Sequence, residues 1–203
     1  MSKICYTYIT LIRSEVKLKI PVGISNRHCH LREETFVKLF GNNEIVNIKD
    51  LNQPGEFVSN NKVAIKTNDG YIENVRVLGP FRKYDQVEIS KTDAFKLKIN
   101  PPVRKSGDVS GSASITLVGL VGEVELDEGC VIANRHIHFS PDEAKRYNVS
   151  DNQVLKVRID TEKGGEIDVF AKVQSPSYFE LHIDMDDANA FLLTNNDEVE
   201  VDI

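Results

Sequence analysis

A chain of 203 residues, 40% of them hydrophobic, is long enough for one large domain or two small ones and apolar enough to bury a core. Its formal net charge of −6, with no basic stripe interleaved with aromatics, argues against nucleic acid as a partner. Three cysteines, Cys5, Cys29 and Cys130, make no disulfide framework and fit a reducing cytosol. Charges interrupt the N-terminal apolar residues, so no signal peptide is expected, and no stretch is long enough for a membrane helix.

In chain order, residues 1–17 alternate as strand around CYTYITLI, without a helical apolar stripe. EVKLKIPVGIS (15–25) is expected as a strand, and REETFVKLFG (32–41) as a helix stopped by Gly41. Strands follow at KVAIKT (62–67), ENVRVLGPF (73–81) and DQVEIS (85–90), with Asn68-Asp69-Gly70 as a turn. DAFKLK (93–98) is a short helix. INPPVRKSGDVSGSAS (99–114) is a loop by its prolines, glycines and serines, and its place suits a mobile element over a site. ASITLVGLVGEVEL (113–126) and CVIANRHIHF (130–139) are strands. SPDEAKRYNV (140–149) is a helix with Ser140 as N-cap, Pro141 in the first turn and Glu143 completing a capping box. NQVLKVRID (152–160), EIDVFAKVQ (166–174), FELHID (179–184) and DEVEVDI (197–203) are strands, with a helix at DDANAFLLT (186–194). Many short strands and few helices predict a mainly β fold, with a break near 120–133 between two similar halves.

The halves share a phrase. Asn-Arg-His-x-His occurs at 26–30 and again at 134–138, using four of the five histidines. On a strand, residues two apart share a face, so His28 and His30 point one way, as do His136 and His138. Two imidazoles side by side suit one cation. A fainter repeat supplies a third donor: EISKTDAF (88–95) aligns with HIDMDDAN (182–189), placing Glu88 opposite His182, the fifth histidine. The candidate metal sites are therefore His28, His30 and Glu88, and His136, His138 and His182. Nitrogen-rich ligation favours zinc over calcium or magnesium, and the donors alone also admit cobalt, nickel or iron. Arg82, six residues before Glu88, is a candidate phosphate-binding residue. Arg27 and Arg135 point away from the histidines and suit packing or an ion pair.

Taken together, PVGISNRHCHL, RVLGPFR, QVEISKTDAF, PPVRKSGD and NRHIHFSPDEA resemble the phosphate acyltransferase of propanediol-utilisation operons, the phosphate propanoyltransferase family, over about residues 18–203. The resemblance implies interconversion of short-chain acyl-CoA and phosphate with acyl phosphate and CoA. Cys29 faces away from the His pair, so metal-assisted direct attack of phosphate on the thioester is expected in preference to an acyl-cysteine route. The resemblance also implies two Zn²⁺ per chain, coenzyme A as co-substrate, and a homodimer. The implied fold is two small antiparallel β-barrels with short capping helices and the metal site between them. One barrel would hold residues 16–25 plus 134–203, the other 26–133, and 1–15 would be an N-terminal extension. The first zinc would take His28, His30 and Glu88, and the second His136, His138 and His182. Arg82 would bind phosphate, and Ile24, Ser25, Asn26, Arg76 and Asn189 would lie along CoA. Members that enter microcompartments carry an amphipathic N-terminal helix. Residues 1–17 do not read as one, so a cytoplasmic enzyme without membrane attachment is expected.

Two other readings compete. His28-x-His30 followed by Glu34 imitates a cupin-like metal oxygenase, but the second cupin motif is not evident. Closed zinc sites that only staple two barrels would make a non-enzymatic module.

Overall fold

The computed structural model describes residues 17–203. The expected strand around CYTYITLI, the extension 1–15 and Cys5 lie outside the described residues. The elements in chain order are β1 (Lys17–Ser25), β2 (His28–His30), α1 (Glu33–Phe40), β3 (Asn47–Asp50), β4 (Phe57–Lys66), β5 (Tyr71–Gly79), β6 (Gln86–Glu88) and α2 (Lys91–Leu97). They continue with β7 (Val103–Arg104), β8 (Ala113–Val118), β9 (Glu123–Ala133), β10 (His136–Phe139), α3 (Pro141–Tyr147), β11 (Val154–Ile159), β12 (Gly165–Val173), β13 (Leu181–Asp184), α4 (Met185–Phe191) and β14 (Glu198–Asp202).

The fold is mainly β and forms two closed six-stranded barrels. One closes in the order β1-β13-β10-β12-β11-β14, with β14 returning to β1. In the other, β4-β5-β2-β6-β9 is closed by β8, which pairs with both β9 and β4. The two rings match strand for strand. β2 and β10 each pair parallel with the second strand of a hairpin, β5 and β12, and antiparallel with a short strand, β6 and β13. β6 pairs parallel with β9, and β13 pairs parallel with β1.

That match exposes an exchange. β1 precedes β2 in the chain but sits in the barrel of β10–β14. β9 precedes β10 but sits in the barrel of β2–β8. Each half therefore lends its leading strand to the other barrel. The stretch 120–133 is not a break: it carries the β8–β9 turn and the whole of β9. ASITLVGLVGEVEL is two strands because Gly119 and Gly122 turn it back, with Val121 N–H donating to Leu39 O at 3.1 Å.

Alternation explains the cores. Ile137 and Phe139 of β10, Ile167, Val169 and Ala171 of β12, Leu181 and Ile183 of β13 and Val199 and Val201 of β14 point into the first barrel. Cys29, Val63, Ile65, Val75, Val77, Val87 and Leu117 fill the second, capped by Phe36 and Leu39 of α1. The intervening residues, among them all five histidines, project outward. The expected helices are present. Gly41 ends α1 at φ 78°, and Ser140 and Glu143 make the capping box of α3. The sequence pattern did not indicate β3, whose four residues are all exposed, or the two-residue β7 inside the expected loop 99–114. Among the described residues no helix is long and apolar enough to cross a membrane.

Candidate metal and anion centre

β2 and β10 are short because the backbone leaves them at once for helices α1 and α3. Their histidines therefore stand at strand ends, facing a cavity of about 630 Å³ lined by residues of both barrels. Two groups of donors lie in it. His28, His30 and Glu88 have ligand atoms within 4.8 Å of one another, as do His136, His138 and His182. These are the two sets expected from the repeats. Strand register assembles them: His28 lies opposite Glu88, and His136 opposite His182. Glu34, the donor required by the oxygenase reading, is instead exposed on α1 and paired with Arg32.

The repeated Asn-Arg has a structural role on both sides. The carbonyl of Asn26 accepts from Nδ1 of His28 at 2.8 Å, and that of Asn134 accepts from Nδ1 of His136 at 2.7 Å. Each bond fixes a tautomer and leaves Nε2 as a lone pair aimed into the cavity. Arg27 grips Asp93 through two bonds of 2.8 Å, and Arg135 grips Asp187 at 2.8 and 2.6 Å. Those aspartates are the shared Asp of the fainter repeat, in the first turns of α2 and α4. The two repeats are thus halves of one unit, the arginine of the first bonded to the aspartate of the second.

In the second group, His136 Nε2 lies 3.1 Å from His138 Nε2, which lies 3.3 Å from His182 Nδ1. The Nε2 of His182 is 2.6 Å from the carboxylate Oε2 of Glu180 and carries the proton, so Nδ1 is also a lone pair. Two lone pairs converging on a third ring nitrogen make a poor hydrogen-bond network but a good cation site. Protons are held off. Burial, then Lys172 and His182, push the His136 pKa down to about 3. Burial, His136 and His182 drive His138 well below the ordinary imidazole range. In the first group burial, then His28 and Arg82, lower His30 likewise. Burial opposes ionisation of Glu88, but His28, His30 and the Ser106 hydroxyl outweigh it and pull its carboxyl down to about 2. Glu88 Oε1 accepts from Ser106 Oγ at 2.8 Å and from Gln86 Nε2, while Oε2 faces His28 Nε2 at 3.5 Å.

Arg82 lines the same cavity, donating to Glu56 Oε1 at 2.7 Å and to the Tyr84 hydroxyl at 3.1 Å. Ile24, Ser25, Asn26 and Arg76 also line it, and Arg76 donates to the carbonyl of Ser59 at 3.2 Å. Asn189 does not: it is exposed on α4, outside the lining. Sequence reasoning missed Lys172, Glu180, Gln86 and Ser106. Lys172 pairs in register with His138, so its side chain emerges on the histidine face, where burial lowers its pKa. Only strand pairing reveals that neighbour. Gln86 and Glu180 carried a usable signal, since each lies two residues before a third donor and shares its face.

Known proteins agree on one family. A family model described as phosphate propanoyltransferase matches residues 21–194. The phosphate propanoyltransferase of Thermotoga maritima is 45% identical over 183 residues, covering 89% of this chain and 87% of the relative. That of Lachnoclostridium phytofermentans is 46% identical over 178 residues, covering 86% and 83%. That of Clostridioides difficile is 38% identical over 192 residues, covering 94% and 91%. With the match running from β1 through α4 and across both donor groups, the chain belongs to the phosphate propanoyltransferase family.

Proposed function

We propose that this protein is a zinc-dependent phosphate acyltransferase that interconverts short-chain acyl-CoA and phosphate with acyl phosphate and CoA. The observation that carries the reading is the meeting of two three-donor groups and two cationic side chains, Arg82 and Lys172, in one cavity. The donor sets fit zinc: nitrogen-rich, three donors each, held neutral or anionic, with room for a further ligand. His28, His30 and Glu88 would hold one Zn²⁺ and His136, His138 and His182 the other, and the bound metal would supply Lewis acidity toward a thioester carbonyl and a leaving thiolate.

The chain's own groups do the rest. Arg82 and Lys172 hold phosphate against the donor groups, which keeps an oxygen beside the carbonyl it attacks. Glu56 holds the Arg82 fork in place meanwhile. A phosphate oxygen forms the C–O bond, the C–S bond breaks, and CoA leaves as thiolate. Ser25, Asn26, Ile24 and Arg76 form the wall along which CoA lies. Asn189 would meet only a part of CoA outside the cavity.

No protein nucleophile is needed. Cys29 is fully buried on the core side of β2, and burial pushes its thiol far above the ordinary range. Cys130 is pushed up to about 12 by burial as well. The reading includes a cytoplasmic homodimer.

The test is phosphate-dependent release of free thiol from acetyl-CoA and propanoyl-CoA, before and after chelation, with metal content measured on the same sample. Release that requires phosphate, stops on chelation and returns with zinc is expected. A protein carrying two zincs and releasing no thiol from either substrate would leave only the structural-module reading standing.

A further inference from the structure

β6 and β13 are equivalent strands, and each holds the third donor of a group, Glu88 or His182. Two residues before each donor stands a buried polar side chain, Gln86 within β6 and Glu180 just ahead of β13. Gln86 is 0% exposed and Glu180 is 3% exposed. Their chemistries are opposite, and each matches what it supports. A carboxylate donor, Glu88, receives an amide N–H from Gln86. An imidazole donor, His182, gives its Nε2 proton to Glu180 Oε2 at 2.6 Å.

Glu180 is held on every side. Its Oε1 accepts from Asn52 Nδ2 at 2.8 Å, and Asn52 belongs to the other barrel, between β3 and β4. Gln53 beside it donates to the carbonyl of Tyr178 at 3.1 Å, so the two residues dock this loop onto the segment leading into β13. Beneath the carboxylate is Gly23, which lies opposite His182 in register. A Cβ there would come within 2.6 Å of Glu180 Oε2. Glycine leaves the space that the carboxylate fills.

From this geometry we propose that Glu180 is a positioning residue for the second donor group. It locks His182 in the Nε2–H tautomer, turns Nδ1 toward His136 and His138, and places a carboxylate behind the three histidines. The proposal rests on the reading of that group as a metal site. Partners behind metal-bound histidines characteristically contribute about 10–100-fold to metal affinity. The loop bearing Asn52 couples this support to the other barrel.

The experiment pairs metal binding with a signal that needs no metal. Zinc stoichiometry and chelator competition are measured for the unsubstituted protein, Glu180→Gln, Gly23→Ala and His182→Ala. In the unsubstituted protein two ions bind, and His182→Ala loses one. Glu180→Gln, which keeps the shape and removes the charge, weakens one of the two ions about 10–100-fold and leaves the other unchanged. Gly23→Ala, whose Cβ would crowd the Glu180 carboxylate and, at 3.0 Å, the His182 ring without altering any charge, weakens the same ion. In the metal-free protein, ¹⁵N spectra of the His182 ring show a single Nε2–H tautomer that becomes mixed in Glu180→Gln. Unchanged zinc retention and an unchanged tautomer in Glu180→Gln overturn the role of Glu180 while leaving the metal site intact. If His182→Ala retains as many ions as the unsubstituted protein, the metal reading fails, and the inference with it.

Discussion

Lys172 illustrates what a single residue does when its neighbours are set by folding. It lies beside His138 on the adjacent strand, partly buried, with Glu88, Glu56 and Arg82 near enough to influence its charge. Among the described residues no hydrogen-bonded carboxylate neutralises it, and an ammonium that opens into the cavity beside Arg82 draws an anion there. Lys172→Ala is therefore expected to raise KM for phosphate by roughly ten- to hundredfold, the worth of one charge-assisted contact. KM for acyl-CoA should change little, and Lys172→Arg should recover most of the loss. Steady-state kinetics with each substrate varied separately checks this. An equal rise in both KM values would assign Lys172 to general stability of the cavity. At this scale the sequence was most legible for the histidines, because the repeat and the two-residue period both act within one strand. It was mute about Lys172, whose partners come from pairing.

At the scale of elements, a strand, a turn and a helix act as one unit through Arg27 and Asp93 in one half and through Arg135 and Asp187 in the other. Asp93 caps nothing itself; Ser90 caps α2, and Asp93 offers its carboxylate to the guanidinium from the first turn. Its side chain is 3% exposed, so Arg27→Ala would leave a buried carboxylate with only Lys96 Nζ, 3.8 Å away. Thermal or denaturant unfolding should show a loss of up to about 3–5 kcal/mol, the range for breaking a buried pair from one side. The Arg135→Ala change should cost less, because Asp187 is more exposed. A loss under about 0.5 kcal/mol for Arg27→Ala, the range of ordinary surface changes, would contradict the account. The helices were legible from capping residues, and α3 follows its sequence closely. α1 shows the limit: Arg32 offers no side-chain cap, and Asp85 supplies the bond instead, accepting from Arg32 N–H and Thr35 at 2.8 Å from the turn before β6. A cap borrowed from about fifty residues away leaves no local pattern. β3 was illegible for a related reason, being exposed throughout and so lacking alternation.

For the whole molecule, the exchanged strands decide how the barrels depend on each other. β1 supplies Ile20 and Val22 to one core, and β9 supplies Leu126 and Cys130 to the other. Neither repeat, β1–β8 or β9–β14, holds all six strands of one ring, and the β10–β14 barrel closes only with β1 from the other side of the β2–β9 barrel. Calorimetry of the metal-free protein should show one cooperative unfolding transition, not two, and a second resolved transition would overturn this coupling. The exchange could not be read from residue patterns. Alternation shows that β1 and β9 are half-buried strands, but not which sheet buries them. The duplicated motifs suggested two side-by-side halves; only the resemblance to a known family pointed to a barrel assembled from both ends of the chain.

The exchange also sets a timetable during synthesis. Every ring strand of the β2–β9 barrel lies between residues 28 and 133, so that barrel has all its strands early. β1 leaves the ribosome before any of them, yet its partners are Leu181–Asp184 and Glu198–Asp202, among the last residues made. Until then it carries an open edge past every other nascent strand. Lys17, Lys19 and Pro21 are the residue types that keep such an edge from pairing wrongly. The strand that emerges first among those described is thus one of the last to find its place, and its charges and proline guard it while it waits.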